Sequence, residues 1–327
     1  MSALPNPSAF AQALGEGVYA IDTGFHRPAF DAAYLLVEQG RAAFVDTGTN
    51  DSVVRLLGTL DDLGIARTAV DFVIATHVHL DHAGGAGLLI QQLPNARLVV
   101  HPLGAPHLIE PSRLMNGARA VYGDAEVART YGDVQGVPPD RVLRTEDAMV
   151  LTLGGRPLKF LDTPGHARHH HCIWDERSGG FFTGDTFGLS YRELDTAEGA
   201  WIMPTTTPVQ FEPEALRLSI ARLLAHAPDC MYLTHYGRVT GVPRLADILL
   251  TQLDAMVALA LGTPPDVPDR HRALVDGLFR IHSGSLRAHG SSLSESRVAD
   301  LLELDVELNA QGIGVWLDRL GRQKKTP

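Results

Sequence analysis

Four apolar runs of this chain each end on a residue able to bind a metal, and that recurrence limits the fold more than any other feature. FVIAT runs into His77-Val78-His79-Leu80-Asp81-His82, LKFLDTPG into His166, GGFFTG into Asp185 and CMYLT into His235. Short runs rich in branched and aromatic residues read as strands. Strands that deliver a polar residue at their C-terminal end place it along one edge of a sheet, where open α/β folds bind ligands. Side chains alternate along a strand, so His77 and His79 share a side, and the turn beyond brings Asp81 and His82 to a neighbouring position. Five His and two Asp suffice for two metal sites with one shared carboxylate. Imidazole mixed with carboxylate suits zinc first, with iron or manganese as alternatives.

The remaining sequence reads as further strands and helices. GVYAIDTG, AAYLLVEQG, AAFVDTG, ARLVVH, RVLRT, AMVLTL and HCIWD have strand character, whereas VVRLLGTLDDLG and EPEALRLSIARLLAH carry leucines at helical spacing. A helix is expected from Asp81 to about Leu93. Residues 102–140 are poor in strands and read as loops and short helices, with a strand-rich half on either side. That division is consistent with two stacked sheets without requiring them. From Pro243 onward three segments carry apolar residues at helical intervals, and Ser292 with Glu295 has capping-box spacing before the last of them. The expected organisation is a catalytic domain over 1–242 and a helical extension over 243–327. The apolar stripes of that extension need a partner, either the first domain near its rim or a second copy in a homodimer. The basic tail GRQKKTP is expected to fray.

Composition narrows the class of partner. A formal charge of −10 disfavours nucleic acid, which calls for basic stripes. Cys172 and Cys230 are too few for a disulfide scaffold and read as buried thiols of a cytoplasmic protein. The first residues lack the basic and apolar regions of a secretion signal. The run Ile248–Leu261 is interrupted by Gln252 and Asp254, so it reads as an amphipathic helix and no membrane partner is expected.

HVHLDHAGG, TPGH, FFTGD and LTH, in this order, resemble the ligand-bearing elements of the metallo-β-lactamase-fold hydrolases, the group that contains hydroxyacylglutathione hydrolases and acyl homoserine lactonases. The resemblance spans roughly Gly15 to Gly237 and implies an αββα sandwich, with the C-terminal helices outside it. It implies that His77, His79 and His166 hold one metal, that Asp81, His82 and His235 hold the other, and that Asp185 bridges them. The activity implied is hydrolysis of a small ester, lactone or thioester by a metal-bound hydroxide, with Asp81 orienting the nucleophile and taking its proton. Redox members carry Glu where this chain has His79, RNA-processing members carry a long basic arm, and antibiotic-degrading members use other second-site ligands. A single-iron sulfur dioxygenase, a phosphodiesterase and a sensor without turnover remain as alternatives on the same fold.

Other residues are candidates for supporting roles. Asp46 either hydrogen-bonds a ligating imidazole or simply forms a turn. His101 and His107 read as structural. Of His169, His170 and His171 only some can face the metals, and His170 is the first choice. The loop from Phe187 to Pro208 is long and aromatic-rich, as binding loops are. Within it Phe187, Leu189, Tyr191, Trp201, Ile202 and Met203 are expected to wall an apolar pocket, with Tyr191 donating to an oxyanion, and Tyr236 is a further polar candidate. That wall, together with Arg192 as the loop's one cation, points to an apolar ester or lactone and away from a polyanion.

Overall fold

A computed structural model describes residues 9–206, 210–264 and 267–323. Its contacts divide the chain into two interleaved units. The first comprises Met1–Asp162, His169–Gly184 and Pro228–Val239, and the second Thr163–Arg168, Asp185–Ala227 and Thr240–Pro327. The helices beyond residue 242 share the second unit with residues 185–227.

Both sheets belong to the first unit. One runs in chain order: β1 (Ala11–Gly15), β2 (Val18–Asp22), β3 (Ala32–Glu38), β4 (Arg41–Val45), β5 (Val70–Ala75), β6 (Arg97–Val100) and β7 (Val142–Arg144). Strands β1 to β4 pair antiparallel and β4 to β7 parallel. The second sheet is built from β8 (Val150–Leu153), β9 (Arg156–Asp162), β10 (His171–Asp175), β11 (Gly180–Gly184), β12 (Cys230–Leu233) and β13 (Gly237–Thr240) in the order 13-12-11-10-9-8. Strand β7 follows the 102–140 segment yet completes the first sheet, so the chain changes sheets between Arg144 and Val150.

Alternation explains the two layers of core. One face of the first sheet, with Ile21, Leu35, Phe44 and Val73, packs on α1 (Val53–Asp62) and α3 (Ala86–Gln92). The other face, with Tyr34, Leu36, Val45 and Ile74, meets Phe160, Ile173, Phe182 and Tyr232 of the second sheet. The Tyr34 hydroxyl donates to the Leu233 carbonyl and ties the sheets together.

The helix expected from Asp81 is broken into α2 (Leu80–Ala83) and α3. Gly84 and Gly85 lie between them, where a Cβ would come 2.3 Å from the Leu80 carbonyl oxygen and 2.7 Å from that of Thr49. Residues 102–140 form α4 (Ala105–Ile109), α5 (Ser112–Tyr122) and α6 (Asp124–Tyr131). Strands β1 and β13 are short and were not legible in the pattern.

The second unit carries α7 (Pro213–Leu224), α8 (Val242–Leu261), α9 (Arg270–Ala288) and α10 (Glu295–Gln323). Leu245, Leu249, Leu253 and Met256 of α8 repeat at helical spacing and are buried, as are Leu274 and Leu278 of α9 and Leu302 and Ile313 of α10. The cap of α10 is Ser294, whose hydroxyl accepts from Arg297 N at 3.3 Å, not the expected Ser292. Among the described residues no helix is long and apolar enough to cross a membrane. Residues 324–327 of the basic tail lie outside the described residues.

Candidate metal centre

Parallel pairing puts the C-terminal ends of β4, β5, β6 and β7 on one edge, and the residues just beyond them are Asp46, Thr76-His77, His101 and Thr145. In the second sheet β10 is antiparallel to both β9 and β11, and β12 is parallel to β11. The chain therefore leaves β9, β11 and β12 in one direction, and His235 follows the last of them. The topology converts four separate sequence motifs into strand-end positions.

In the first unit these positions converge. One ligand atom from each of Asp81, His82 and His235 lies within 4.8 Å of the others. His82 Nε2 is 3.8 Å and His235 Nε2 is 3.6 Å from Asp81 Oδ2. The His77 ring stands 4.0 Å from that of His82, and His77 Nε2 is 2.7 Å from His79 Nδ1. His77 and His82 are fully buried.

The far side of each imidazole is held. His82 Nδ1 is 2.9 Å from Asp46 Oδ2, and His235 Nδ1 is 3.2 Å from the Phe30 carbonyl oxygen. An acceptor opposite Nδ1 keeps the proton there, which leaves Nε2 as a lone-pair donor. Two such nitrogens then face the Asp81 carboxylate, and electron-rich atoms so close together call for a cation between them. The residues present thus fit a metal ion. Asp46 also accepts from Thr76 N at 2.8 Å, Thr76 Oγ1 at 2.9 Å and Thr234 Oγ1 at 2.9 Å. It therefore holds the His82 imidazole rather than serving only as a turn residue.

The three consecutive histidines separate. His170 stacks on His77 at 4.9 Å between ring centroids, and the His169 ring is 5.6 Å from that of His79. His171 turns to Thr145 Oγ1 at 3.0 Å, and burial together with His101 pushes its pKa down to about 3. His101 donates to Asp162 Oδ1 at 3.1 Å, a structural use, as expected. The His107 ring, half-buried, lies 6.2 Å from that of His169. Tyr236 packs with the core between the sheets. Gly184 has φ +45°, and a Cβ there would sit 2.6 Å from His170 Nε2 and 2.7 Å from Thr76 Oγ1, so the residue before Asp185 must be glycine.

Sequence reasoning missed Asp31. It is fully buried, bonds Thr23 Oγ1 at 3.1 Å, and burial pushes its carboxyl up to about 7, opposed by the His235 and His82 rings. The run RPAFDAAYL that contains it shows only an aspartate ahead of a strand, with no periodic or motif signal.

In the second unit His166 Nε2 stands 3.2 Å from Asp185 Oδ2, and its Nδ1 lies 3.3 Å from the Thr205 carbonyl oxygen. The arrangement repeats that of His82 and His235: Nδ1 on an acceptor, Nε2 on a carboxylate. Gly165 precedes His166 at φ +138°, where a Cβ would meet the Leu216 backbone at 2.3 Å.

The loop after Asp185 departs from expectation. Phe187, Leu189, Tyr191, Trp201, Ile202 and Met203 are each at most 1 % exposed. Leu189 and Met203 bridge the loop's two arms, Trp201 Nε1 donates to Ser285 Oγ on α9 at 3.1 Å, and Gln252 Nε2 on α8 donates to the Ile202 carbonyl at 2.7 Å. The Tyr191 hydroxyl donates to Asp305 Oδ1 on α10 at 3.1 Å. These side chains pack the loop onto the C-terminal helices, and the Tyr191 hydroxyl bonds Asp305 there. Thr207 and Pro208 of this loop lie outside the described residues.

The family model for the metallo-beta-lactamase superfamily matches residues 26–235, from ahead of β3 through the last ligand candidate. The chain belongs to the metallo-beta-lactamase superfamily. Its fold is the αββα sandwich of that family, extended by C-terminal helices. It is similar to the metallo-beta-lactamase fold-containing protein ST1585 of Sulfurisphaera tokodaii, 26% identical over 242 residues that cover 72% of this chain and 84% of that protein. The crystal structure of ST1585 superimposes with a TM-score of 0.64 at 22% identity, covering 91% of this chain and 98% of that one. A human protein named acyl-coenzyme A thioesterase MBLAC2 is 31% identical over 191 residues, 53% of this chain and 64% of its own length. A hydroxyacylglutathione hydrolase of Synechococcus is 29% identical over 155 residues, 47% of either chain.

Proposed function

We propose that this superfamily member is a dinuclear metallohydrolase that cleaves a small thioester or ester. His77, His79 and His166 take one ion, Asp81, His82 and His235 take the other, and Asp185 is shared between them. Zinc is the first expectation for both. The observation that carries the reading is the convergence of Asp81, His82 and His235 with both imidazoles fixed at Nδ1. When bound, the ions supply Lewis acidity and a water acidified to near neutrality. Asp81, whose Oδ2 faces both Nε2 atoms and would meet the ion there, would orient the attacking water and take its proton on the other carboxylate oxygen, passing it to the leaving thiolate or alkoxide as the acyl–sulfur or acyl–oxygen bond breaks.

The loop aromatics that favoured an apolar ester or lactone are used for packing, whereas relatives named as thioesterases support a thioester. Elemental analysis of the purified protein is expected to find two ions per chain, at least one lost in His166→Ala, and impaired retention in Asp185→Ala. Turnover is expected to be higher on an acyl thioester than on a medium-chain lactone, an aryl acetate or a bis-phenyl phosphate. A folded protein unable to take up zinc, manganese or iron overturns the dinuclear reading; tenfold preference for the phosphate, about 1.4 kcal/mol in transition-state binding, overturns the substrate class.

A further inference from the structure

The last helix of the second unit reaches back to the backbone that holds His166. Asn309 on α10 is 1 % exposed and brackets Thr205 from both sides. Its Oδ1 accepts from Thr206 N at 2.7 Å and its Nδ2 donates to the Pro204 carbonyl at 3.1 Å. Its own main-chain oxygen accepts from Thr206 Oγ1 at 3.3 Å. The carbonyl between those two anchored residues is the one that faces His166 Nδ1 at 3.3 Å. A side-chain amide is the group that donates and accepts within one plane, which is what two adjacent peptide units of a loop present. A carboxylate there would turn an acceptor on the Pro204 carbonyl, and an aliphatic side chain would leave both backbone groups unmet.

A second connection runs from the same helix to the other side of the histidine. Arg319, also on α10, donates to the Phe211 carbonyl and lies 2.8 Å from Glu212 Oε1. Glu212 N in turn donates to the Gly165 carbonyl at 2.8 Å, one residue before His166. Helix α10 thus fixes the acceptor opposite Nδ1 through Asn309 and the backbone beside His166 through Arg319.

We infer that Asn309 is a positioning residue for the ligating imidazole of His166: through the Thr205 carbonyl it keeps the Nδ1 proton in place and aims Nε2 as a metal donor. The inference rests on His166 being a ligand, as proposed above. It also gives the helices beyond residue 242 a task in assembling the centre, beyond filling the interior of their unit.

The test is metal affinity of the full-length protein, read by competition with a chromogenic zinc chelator and by the visible spectrum after cobalt substitution. In Asn309→Asp, which keeps the shape and reverses one bond, one equivalent of zinc is expected to bind about 10–100-fold more weakly, while the other keeps its affinity. The cobalt band of the weakened site is expected to change with it. Asn309→Ala should do the same, and Arg319→Ala less. Gln311→Ala, on the same helix outside both connections, should change neither. Circular dichroism confirms which variants are folded. A folded Asn309→Asp protein with both equivalents and the cobalt spectrum of the parent overturns the inference, provided His166→Ala loses one equivalent. If His166→Ala keeps both, the ligand assignment falls first and takes this inference with it.

Discussion

His82 and His166 are two ligand candidates held by opposite means. His82 is anchored by a carboxylate: Asp46 Oδ2 lies 2.9 Å from its Nδ1, and the same side chain gathers Thr76 and Thr234 from the ends of both sheets. His166 is anchored by a main-chain carbonyl in a long loop, 3.3 Å away, and that loop is itself fastened by a helix about a hundred residues later in the chain. A buried carboxylate raises the basicity of the imidazole and fixes it through charge, with Asp46, Thr76 and Thr234 at strand ends and His82 on the short helix α2. A carbonyl supplies direction without charge and depends on the integrity of a remote element. The first anchor is strong and self-contained. The second depends on the sequence of the C-terminal helix that carries Asn309.

The largest effect expected from this contrast is at Asp46. Asp46→Ala removes the acceptor of three buried donors besides His82, and its φ of +57° suits Asp far better than Ala. Each orphaned donor costs about 1–3 kcal/mol, so a loss of roughly 4 kcal/mol in unfolding free energy is expected by denaturant titration. Metal uptake at the His82 site should fall with it. A loss below about 1 kcal/mol would show that charge anchoring matters no more than the carbonyl does, since that is the size of one ordinary hydrogen bond.

The contrast also explains what could be read from the chain beforehand. The ligand candidates His77, His79, Asp81, His82 and His235 follow strands whose apolar pattern is plain, and parallel pairing carries their sequence order directly into space. Asp46 was visible as a residue at a strand end, though only the structure distinguishes its anchoring role from a turn. Asn309 gave no signal, because an Asn inside a helical pattern is an ordinary surface residue until a loop docks on it. The loop aromatics are ambiguous for a related reason. Phe187, Tyr191 and Trp201 look alike in sequence whether they wall a pocket or pack a loop, and the helices they are buried against arrive only later in the chain. The break at Gly84-Gly85 was missed because the apolar period continues across it while the close approach of Thr49 does not show in one dimension.

A middle-sized effect separates the units by pH. His282 on α9 is fully buried beside Gln252 Oε1 at 2.9 Å, and burial pushes its pKa down to about 3. Because the folded value lies below the unfolded one, near 6.5, the native state resists a proton that the unfolded chain accepts. The stability involved is fully present above pH 6.5 and is lost progressively as the pH falls from there towards 3. Between pH 7 and pH 5 the loss from this one group is about 2 kcal/mol. The variant His282→Gln is expected to flatten the stability profile by that amount across the interval, measured on apo protein so that ligand protonation contributes equally to both. An unchanged slope would mean that His282 takes no part in the acid response.

The smallest effect is expected at Tyr191, where the two uses of the loop diverge most sharply. If the hydroxyl serves packing, Tyr191→Phe removes one donor from Asp305, which is 8 % exposed, and keeps the ring in place. The expected cost is about 1 kcal/mol of stability, the ordinary worth of one hydrogen bond. Turnover should then stay within about threefold, because an effect of that size on kcat/KM is under 1 kcal/mol. If the hydroxyl instead donated to an oxyanion in the transition state, its removal would cost about 100-fold or more in kcat with KM little changed. Measuring kcat and KM separately on one acyl thioester distinguishes the two, since a packing role moves neither strongly and an oxyanion role moves kcat alone. Asp305→Asn supplies the cross-check: it preserves shape and weakens the same bond from the other side. Under the packing reading both variants lose similar stability and keep similar rates. A large drop in kcat confined to Tyr191→Phe would return the hydroxyl to the chemistry and with it the loop's part in binding substrate.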